Sequence, residues 1–241
     1  MTNSANYIPI VGMIFLAVLL LLTALLGHAY NAKEKDVHEI VATMTLDAVF
    51  IAIILIMTFV PYLGYLAVTP VLSFTLLHLP VLLGAALGGW KKGALLGLVF
   101  GLSSYMQALN GAAGFNALFA YPWVAVPPRF LFGLIAGIVF SFIGKVSNKR
   151  AIGLYLALAC AGLTALHTAL VFFDLYIFYP DTIAGLFSST SPIATGTTLT
   201  FLLVILIGMA GEMGIAAVII PSLYLAVTKA SPRLRRARRL R

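Results

Sequence analysis

The sequence predicts an all-α integral membrane protein, and three observations support that prediction. Apolar residues make up 62% of the 241 residues and charged residues only 9%, whereas soluble domains carry about 25% charged residues. The mean hydropathy is +1.08. Apolar runs of about 20 residues, the length that spans a bilayer, recur along the chain, and none shows the alternation of a membrane β-strand. The composition excludes a soluble globular domain.

Seven apolar segments are predicted to be membrane helices. They cover residues 7–27, 41–60, 72–89, 93–109, 127–144, 151–179 and 198–227. The first segment lacks the basic n-region of a signal peptide, and its apolar run is longer than a usual h-region, so we predict a retained helix. Trp90, Lys91 and Lys92 are predicted to form a turn. The Pro127-Pro128 pair predicts the start of the fifth helix, because proline suits a first helical turn.

The basic residues orient these segments. If every segment crosses, fourteen of the fifteen Lys and Arg residues fall on one side, which the positive-inside rule makes cytoplasmic. The N-terminus is then outside and the C-terminus inside, and Arg129 alone lies on the outer side. The last thirteen residues carry six arginines. We interpret this basic tail as an anchor against anionic lipid in preference to a nucleic-acid site.

Small residues four positions apart predict close helix packing. The pattern occurs at Gly84/Gly88, at Gly93/Gly97/Gly101, at Gly133/Gly137 and, with alanine, at Ala48/Ala52. Bare backbone on one helix face lets another helix approach closely. The alanine pair could face a neighbouring helix of this chain or a partner protein. The single cysteine, Cys160, rules out an internal disulfide.

Few polar side chains lie within the apolar segments, and each needs a partner. Arg129 either pairs with a substrate anion or snorkels to lipid headgroups, and its isolation on the outer side favours the anion. Glu212 either accepts a hydrogen bond from a substrate or ties two helices together. His78 and His167 are lone histidines that hydrogen-bond either between helices or to a ligand. Asp47 is predicted to be interfacial.

The predicted outer loop between the fourth and fifth segments combines amides and aromatic rings without charge. Its residues are Tyr105, Gln107, Asn110, Asn116, Tyr121 and Trp123. Such groups beside one arginine suit a small polar ligand. The two residues nearest the fifth segment, Tyr121 and Trp123, could equally form an interfacial aromatic belt.

Several functions are disfavoured by what the sequence lacks. It contains no phosphate-binding GxxxxGK[ST] loop, no HExxH and no GxSxG. No histidine has a second ligand at metal-binding spacing, so neither a metal nor a cofactor is predicted. The spacing of Ser103-Ser104 and His167 does not support an intramembrane serine enzyme. Charges within the segments are too few for a proton relay.

Four segments together resemble the S components, the substrate-binding subunits, of energy-coupling factor (ECF) transporters. They read TLLHLPVLLGA at 75–85, AVPPRFLFG at 125–133, LTALHTALV at 163–171 and GEMGIAA at 211–217. The resemblance spans roughly residues 43–227, and within it the pantothenate-type subfamily is most similar. One departure is His167, where relatives often have asparagine.

The resemblance implies a six-helix S-component bundle at 41–228, preceded by one extra transmembrane helix and a linker at 1–40 and followed by the basic tail at 229–241. It implies capture of a vitamin, with pantothenate as the leading candidate, and docking on a membrane T subunit with two cytoplasmic ATPases. Ala48 and Ala52 would contact the T subunit. Substrate contacts would come from Arg129, Asn110, Gln107, Tyr105, Asn116, His78, His167 and Glu212. The alternatives are another vitamin or precursor, such as folate or hydroxymethylpyrimidine, and an intramembrane enzyme.

Overall fold

The computed structural model describes residues 37–60, 62–67, 73–110, 114–145, 151–182 and 198–230. The predicted first helix (7–27), most of its linker, the loop 183–197 and the arginine-rich tail lie outside the described residues. The described elements are six α-helices, one 3₁₀ helix and one β-hairpin. In chain order they are α1 (Val37–Phe59), β1 (Tyr65–Ala67), β2 (Ser73–Thr75), α2 (His78–Gly88), α3 (Trp90–Leu109), the 3₁₀ helix (Gly114–Phe119), α4 (Pro122–Ile143), α5 (Ile152–Phe178) and α6 (Thr198–Ala230).

The helical prediction is confirmed in its main features. Three stretches are long and apolar enough to span a bilayer: Pro122–Ile143, Ile152–Phe178 and Ile205–Ala230. Thr43–Phe59 and His78–Gly88 are shorter apolar helices. The core lies where α2, α3 and α4 meet, around fully buried side chains such as Leu82, Phe100 and Phe132. Exposed apolar side chains cover the outer faces of α1, α5 and α6, as expected of helices that face lipid.

The predicted third span is wrong in its first part. Residues 73–75 form β2, which pairs antiparallel with β1 so that Tyr65 lies opposite Thr75. The helix that follows, α2, has only 11 residues, too few for a 30 Å hydrocarbon core at 1.5 Å per residue. Within β2, Phe74 is aromatic and Thr75 is β-branched, and a short apolar run that contains such residues can form either a strand or a buried helical turn. The prediction of one helix over residues 72–89 is therefore wrong for the residues of β2.

Two predicted boundaries are also wrong. The turn between α2 and α3 is Gly89, whose φ of 74° favours glycine, while Trp90 already begins α3. The next helix, α4, begins at Pro122 instead of Pro127, because Pro122 occupies the first helical turn. Pro127 and Pro128 lie inside α4, so Arg129 is two helical turns deep instead of at the end of its helix.

The predicted glycine packing is confirmed between α3 and α4. A Cβ atom at Gly93 would collide with the carbonyl oxygen of Gly133, and one at Gly97 would lie 2.5 Å from the carbonyl oxygen of Arg129. At Gly137 a Cβ would collide with the backbone of Trp90. The two helices therefore touch backbone to backbone, which fixes the height of Arg129 in the bundle.

Candidate functional site

The hairpin, the 3₁₀ helix, the N-terminal halves of α4 and α6 and the C-terminal half of α5 line a cavity of about 90 Å³. Its polar lining consists of Tyr65, Thr75, Arg129, His167, Thr168 and Glu212. Aromatic and aliphatic side chains, among them Phe74, Phe119 and Phe172, complete the wall. An apolar cavity with a few convergent polar groups is typical of a small-molecule site.

Arg129 is the cationic group of this cavity, and it is 3% exposed. Its Nη1 donates a 2.8 Å hydrogen bond to the Ala125 carbonyl one turn earlier in α4. The guanidinium carbon lies 4.3 Å from the ring centre of Phe119 and 5.2 Å from that of Phe100, so the guanidinium makes cation–π contacts with two aromatic rings. The snorkelling alternative is therefore wrong, since the side chain turns into the protein.

Among the described residues, no carboxylate contacts the guanidinium of Arg129. Within the described parts of the chain the one ion pair joins Lys92 to Asp47. Asp174 on α5 interacts electrostatically with Arg129 without forming an ion pair. The Nε of Arg129 is buried and has no hydrogen-bond partner among the described residues. A buried cation left unpaired is costly, and an anion bound in the cavity would relieve that cost.

The two histidines form a buried pair beneath Arg129. Their rings stack with centres 6.1 Å apart, and His167 also packs against Phe100 and Phe132. The Nδ1 of His78 bonds to the Thr75 carbonyl oxygen, which only accepts, so the proton belongs on Nδ1. Both Nε2 atoms are buried without a partner among the described residues. The arrangement therefore leaves hydrogen-bonding capacity free at the cavity floor.

Two hydrogen bonds hold the hairpin over the cavity. The backbone N–H of Thr75 donates to Glu212 Oε1 at 2.6 Å, which ties β2 to α6. The Tyr65 hydroxyl lies 2.8 Å from Ser104 Oγ, which ties β1 to α3. Sequence reasoning considered Glu212 as either a substrate acceptor or a tie between helices. In the structure it ties a strand to a helix while still lining the cavity.

The structure brings only part of the predicted site together. Arg129, His167 and Glu212 line the cavity, and His78 lies beneath it in contact with His167. Tyr105 and Gln107 are half-buried on α3 and Asn110 is exposed at its end, and none of the three lines the cavity. The side chain of Asn116 lies outside the described residues. Sequence reasoning missed Tyr65, Thr75, Phe119 and Thr168, which reach the cavity from elements that seemed to be helix or loop.

The arrangement does not support hydrolytic or metal chemistry. Ser103 bonds to the Phe100 carbonyl and to Thr58, while Ser104 bonds to Tyr65. Neither serine bonds to His167, whose Nε2 is unpartnered, so no nucleophile–base pair exists among these residues. In the part of the chain that the structure describes, no group of three or more His, Cys, Asp or Glu side chains could hold a metal ion.

Comparison with known proteins identifies relatives. A family model described as "ECF transporter, substrate-specific component" matches residues 42–224. The pantothenic acid transporter PanT of Lactococcus lactis subsp. cremoris (strain MG1363) is 33% identical over 165 residues, which is 63% of this chain and 79% of that protein. The pantothenate transporter PanT of Leuconostoc mesenteroides subsp. mesenteroides is 33% identical over 102 residues, or 41% of this chain and half of that protein.

Proposed function

Because this chain belongs to the family of substrate-specific components of ECF transporters, we propose that it captures pantothenate outside the cell for import. The chain is a membrane transport component and not an enzyme. The observation that carries the choice of substrate is Arg129, a buried cation in a largely apolar cavity that no carboxylate of the described segments contacts. Pantothenate presents one carboxylate, two hydroxyls and an amide, and both relatives are named for its transport.

The carboxylate of pantothenate would bind the free edge of the Arg129 guanidinium. A charge-assisted hydrogen bond in a water-poor cavity is stronger than a neutral one. Cation–π contacts with Phe100 and Phe119 hold the guanidinium in place, so little conformational entropy is lost when the anion arrives. Binding would then convert an unpaired buried charge into a paired one.

The hydroxyls and amide of the vitamin would meet the remaining polar lining. His167 offers an unpartnered Nε2, Thr168 a hydroxyl, and Glu212 a second carboxylate oxygen beyond the one that accepts from Thr75. His78 does not line the cavity and would instead position His167, against which its ring is stacked. For Tyr105, Gln107, Asn110 and Asn116, which the described cavity lining does not include, contact with substrate at the outer mouth stays a prediction.

The sequence contains no phosphate-binding GxxxxGK[ST] loop, so in this proposal partner subunits supply the energy for import. We propose docking on a membrane T subunit that carries two cytoplasmic ATPases, with the N-terminus of this chain outside and the C-terminus inside. Ala48 and Ala52 would form the contact, and both are exposed on α1. Small exposed residues four apart allow a partner helix to approach closely.

A ligand panel tests the substrate. Purified wild-type protein in detergent should show a thermal shift with pantothenate of about 5–11 °C at 100 times the dissociation constant. Panthenol, in which an alcohol replaces the carboxylate, should give little shift at the same concentration. Folate and hydroxymethylpyrimidine represent the alternative substrates. A larger shift with either of these than with pantothenate would overturn the assignment, and equal shifts with panthenol and pantothenate would exclude a role for the carboxylate.

Substitutions of Glu212 separate its two roles. Glu212→Gln keeps an oxygen that can accept from the Thr75 N–H, so the hairpin should stay in place and pantothenate affinity should fall less than about threefold. Glu212→Leu removes that acceptor and leaves a buried N–H unpaired, so affinity should fall about tenfold or more through faster dissociation. Stopped-flow dissociation kinetics measure this difference. If Gln and Leu weaken binding equally, Glu212 acts by its charge on the ligand and not by holding the hairpin.

A further inference from the structure

The two faces of α1 differ sharply in burial. Phe50, Ile54 and Thr58 are buried, at spacings of four residues, and Asp47 lies on the same face three residues earlier. The opposite and lateral faces are exposed, and they include Ala48 and Ala52. Among the described residues, α1 packs against the rest of the chain mainly through this stripe and the half-buried Ile51 and Met57 beside it. The rotation of α1 about its own axis therefore depends on few contacts.

The first of these contacts is an ion pair at the inner end of the stripe. Lys92 Nζ lies 2.6 Å from Asp47 Oδ1, and the two side chains are 8% and 22% exposed. Lys92 reaches Asp47 by lying flat across Gly88, where any Cβ would collide with the lysine stem. Lys92, predicted to be part of a turn, therefore lies in α3 and forms a packed contact with Asp47 of α1.

The second contact lies at the outer end of the same stripe. Thr58 Oγ1 lies 3.0 Å from Ser103 Oγ on α3, and both residues are buried. Between the two contacts the stripe is apolar. Thr58 follows Asp47 by eleven residues, and Ser103 follows Lys92 by the same number. Eleven residues are about three helical turns, or about 16 Å, so both contacts lie on one face of each helix.

We propose that Asp47–Lys92 and Thr58–Ser103 form a two-point polar clamp that fixes the rotation of α1 on α3. Within lipid, apolar side chains gain little by facing protein instead of acyl chains, so hydrogen bonds, ion pairs and close packing decide how helices are oriented. A rotation of α1 by one residue position would break both contacts at once and leave buried charges unpaired. The clamp holds Ala48 and Ala52 outward. That these alanines meet a T subunit rests on the proposed function, whereas the clamp itself does not.

Charge reversal tests the clamp. In a Cys160→Ala background, nitroxide labels at Ala48 or at half-buried Ile51 report exposure to lipid through collision with oxygen. In the parent protein the Ala48 label should be much more accessible than the Ile51 label. Asp47→Lys alone and Lys92→Asp alone should each reduce this contrast, and the double reversal should restore it. If the folded single variants keep the full contrast, or the double reversal fails to restore it, the clamp is refuted.

A milder variant covers the case in which single reversals do not fold. Thr58→Val keeps the shape of the side chain and removes the hydroxyl that contacts Ser103 Oγ and, within α1, the Ile54 carbonyl oxygen. Of the two contacts with α3 it removes only the outer one, so the contrast should shrink partly. An unchanged contrast in Thr58→Val would reduce the clamp to a single point and overturn the proposal.

Partner assembly separates the clamp from the proposed function. Pantothenate affinity should stay within about threefold of wild type in the single reversals, since neither residue lines the cavity, while copurification with the T subunit and ATPases should fall about tenfold. If the label contrast changes but assembly does not, the clamp stands and the proposed role of Ala48 and Ala52 fails.

Discussion

Replacing Arg129 with methionine should abolish high-affinity pantothenate binding and yet leave the free protein at least as stable as wild type. Methionine preserves much of the aliphatic stem and removes the guanidinium that lies over the rings of Phe100 and Phe119. It removes a buried charge that has no contacting carboxylate in the described structure, and such a charge costs folding free energy. The same charge would pair with the vitamin, and truncating one partner of a buried charged pair costs about 2–5 kcal/mol of binding. Affinity should therefore fall at least thirtyfold, since about 1.4 kcal/mol is a tenfold change.

Calorimetric titration and thermal unfolding without ligand measure the two effects separately. Arg129→Lys is the matched control, because lysine keeps the charge but loses the planar fork, and its affinity should be intermediate. Panthenol should bind wild type and Arg129→Met with similar weak affinity. A structural arginine would give the opposite pattern: a less stable free protein with pantothenate binding reduced no more than panthenol binding.

The importance of Arg129 could be predicted from sequence because it follows from the predicted membrane topology. It is the one basic residue that the positive-inside rule places outside, and that reasoning needs no knowledge of contacts. Its depth was not predictable, because Pro127 and Pro128 looked like a helix start. Pro122 supplies that start in the structure, and the helix continues through the later prolines. Burial and the aromatic contacts of Arg129 follow from this longer helix.

The other cavity residues could not be predicted because one apolar run, residues 72–89, is long enough to be a single membrane span. Residues 72–89 have enough apolar length for a span, and a composition argument cannot divide them into strand and short helix. Tyr65 and Thr75 face each other only after that division, and only then can Thr75 meet Glu212, 137 residues later in the chain. A contact between residues so far apart in the chain produces no hydrophobic periodicity in either segment, so sequence patterns do not reveal it.

The glycine packing faces, in contrast, could be predicted from sequence, because close approach of two helices requires small residues at regular spacing within each helix. The sequence predicted packing faces on α3 and α4, and the structure places them against each other. The same contact also supports the site, since Gly97 lies against the backbone of Arg129. Packing and binding are therefore linked through these two helices, which the spacing alone did not reveal.

Gly133→Ala should measurably destabilise the protein, and Gly133→Leu should prevent folding. An added Cβ at Gly133 would collide with the carbonyl oxygen of Gly93 and lie 2.9 Å from the Cα of Gly97. Both are backbone atoms, so no rotamer change relieves the overlap and α3 and α4 must separate. Overpacking costs about 1–3 kcal/mol, which corresponds to a fall in Tm of about 2–12 °C for a chain of this size.

Gly162→Ala is the matched control, because Gly162 lies in α5 with no atom within 4 Å of its added Cβ. Relief of glycine's backbone entropy should raise stability there by about 0.5–1 kcal/mol. In folded Gly133→Ala protein, pantothenate affinity should also fall, because separation of α3 from α4 moves Arg129 away from Phe100. Equal Tm values for the Gly133 and Gly162 variants would show that the two helices are not in backbone contact, and would remove the support that this contact gives to the position of Arg129.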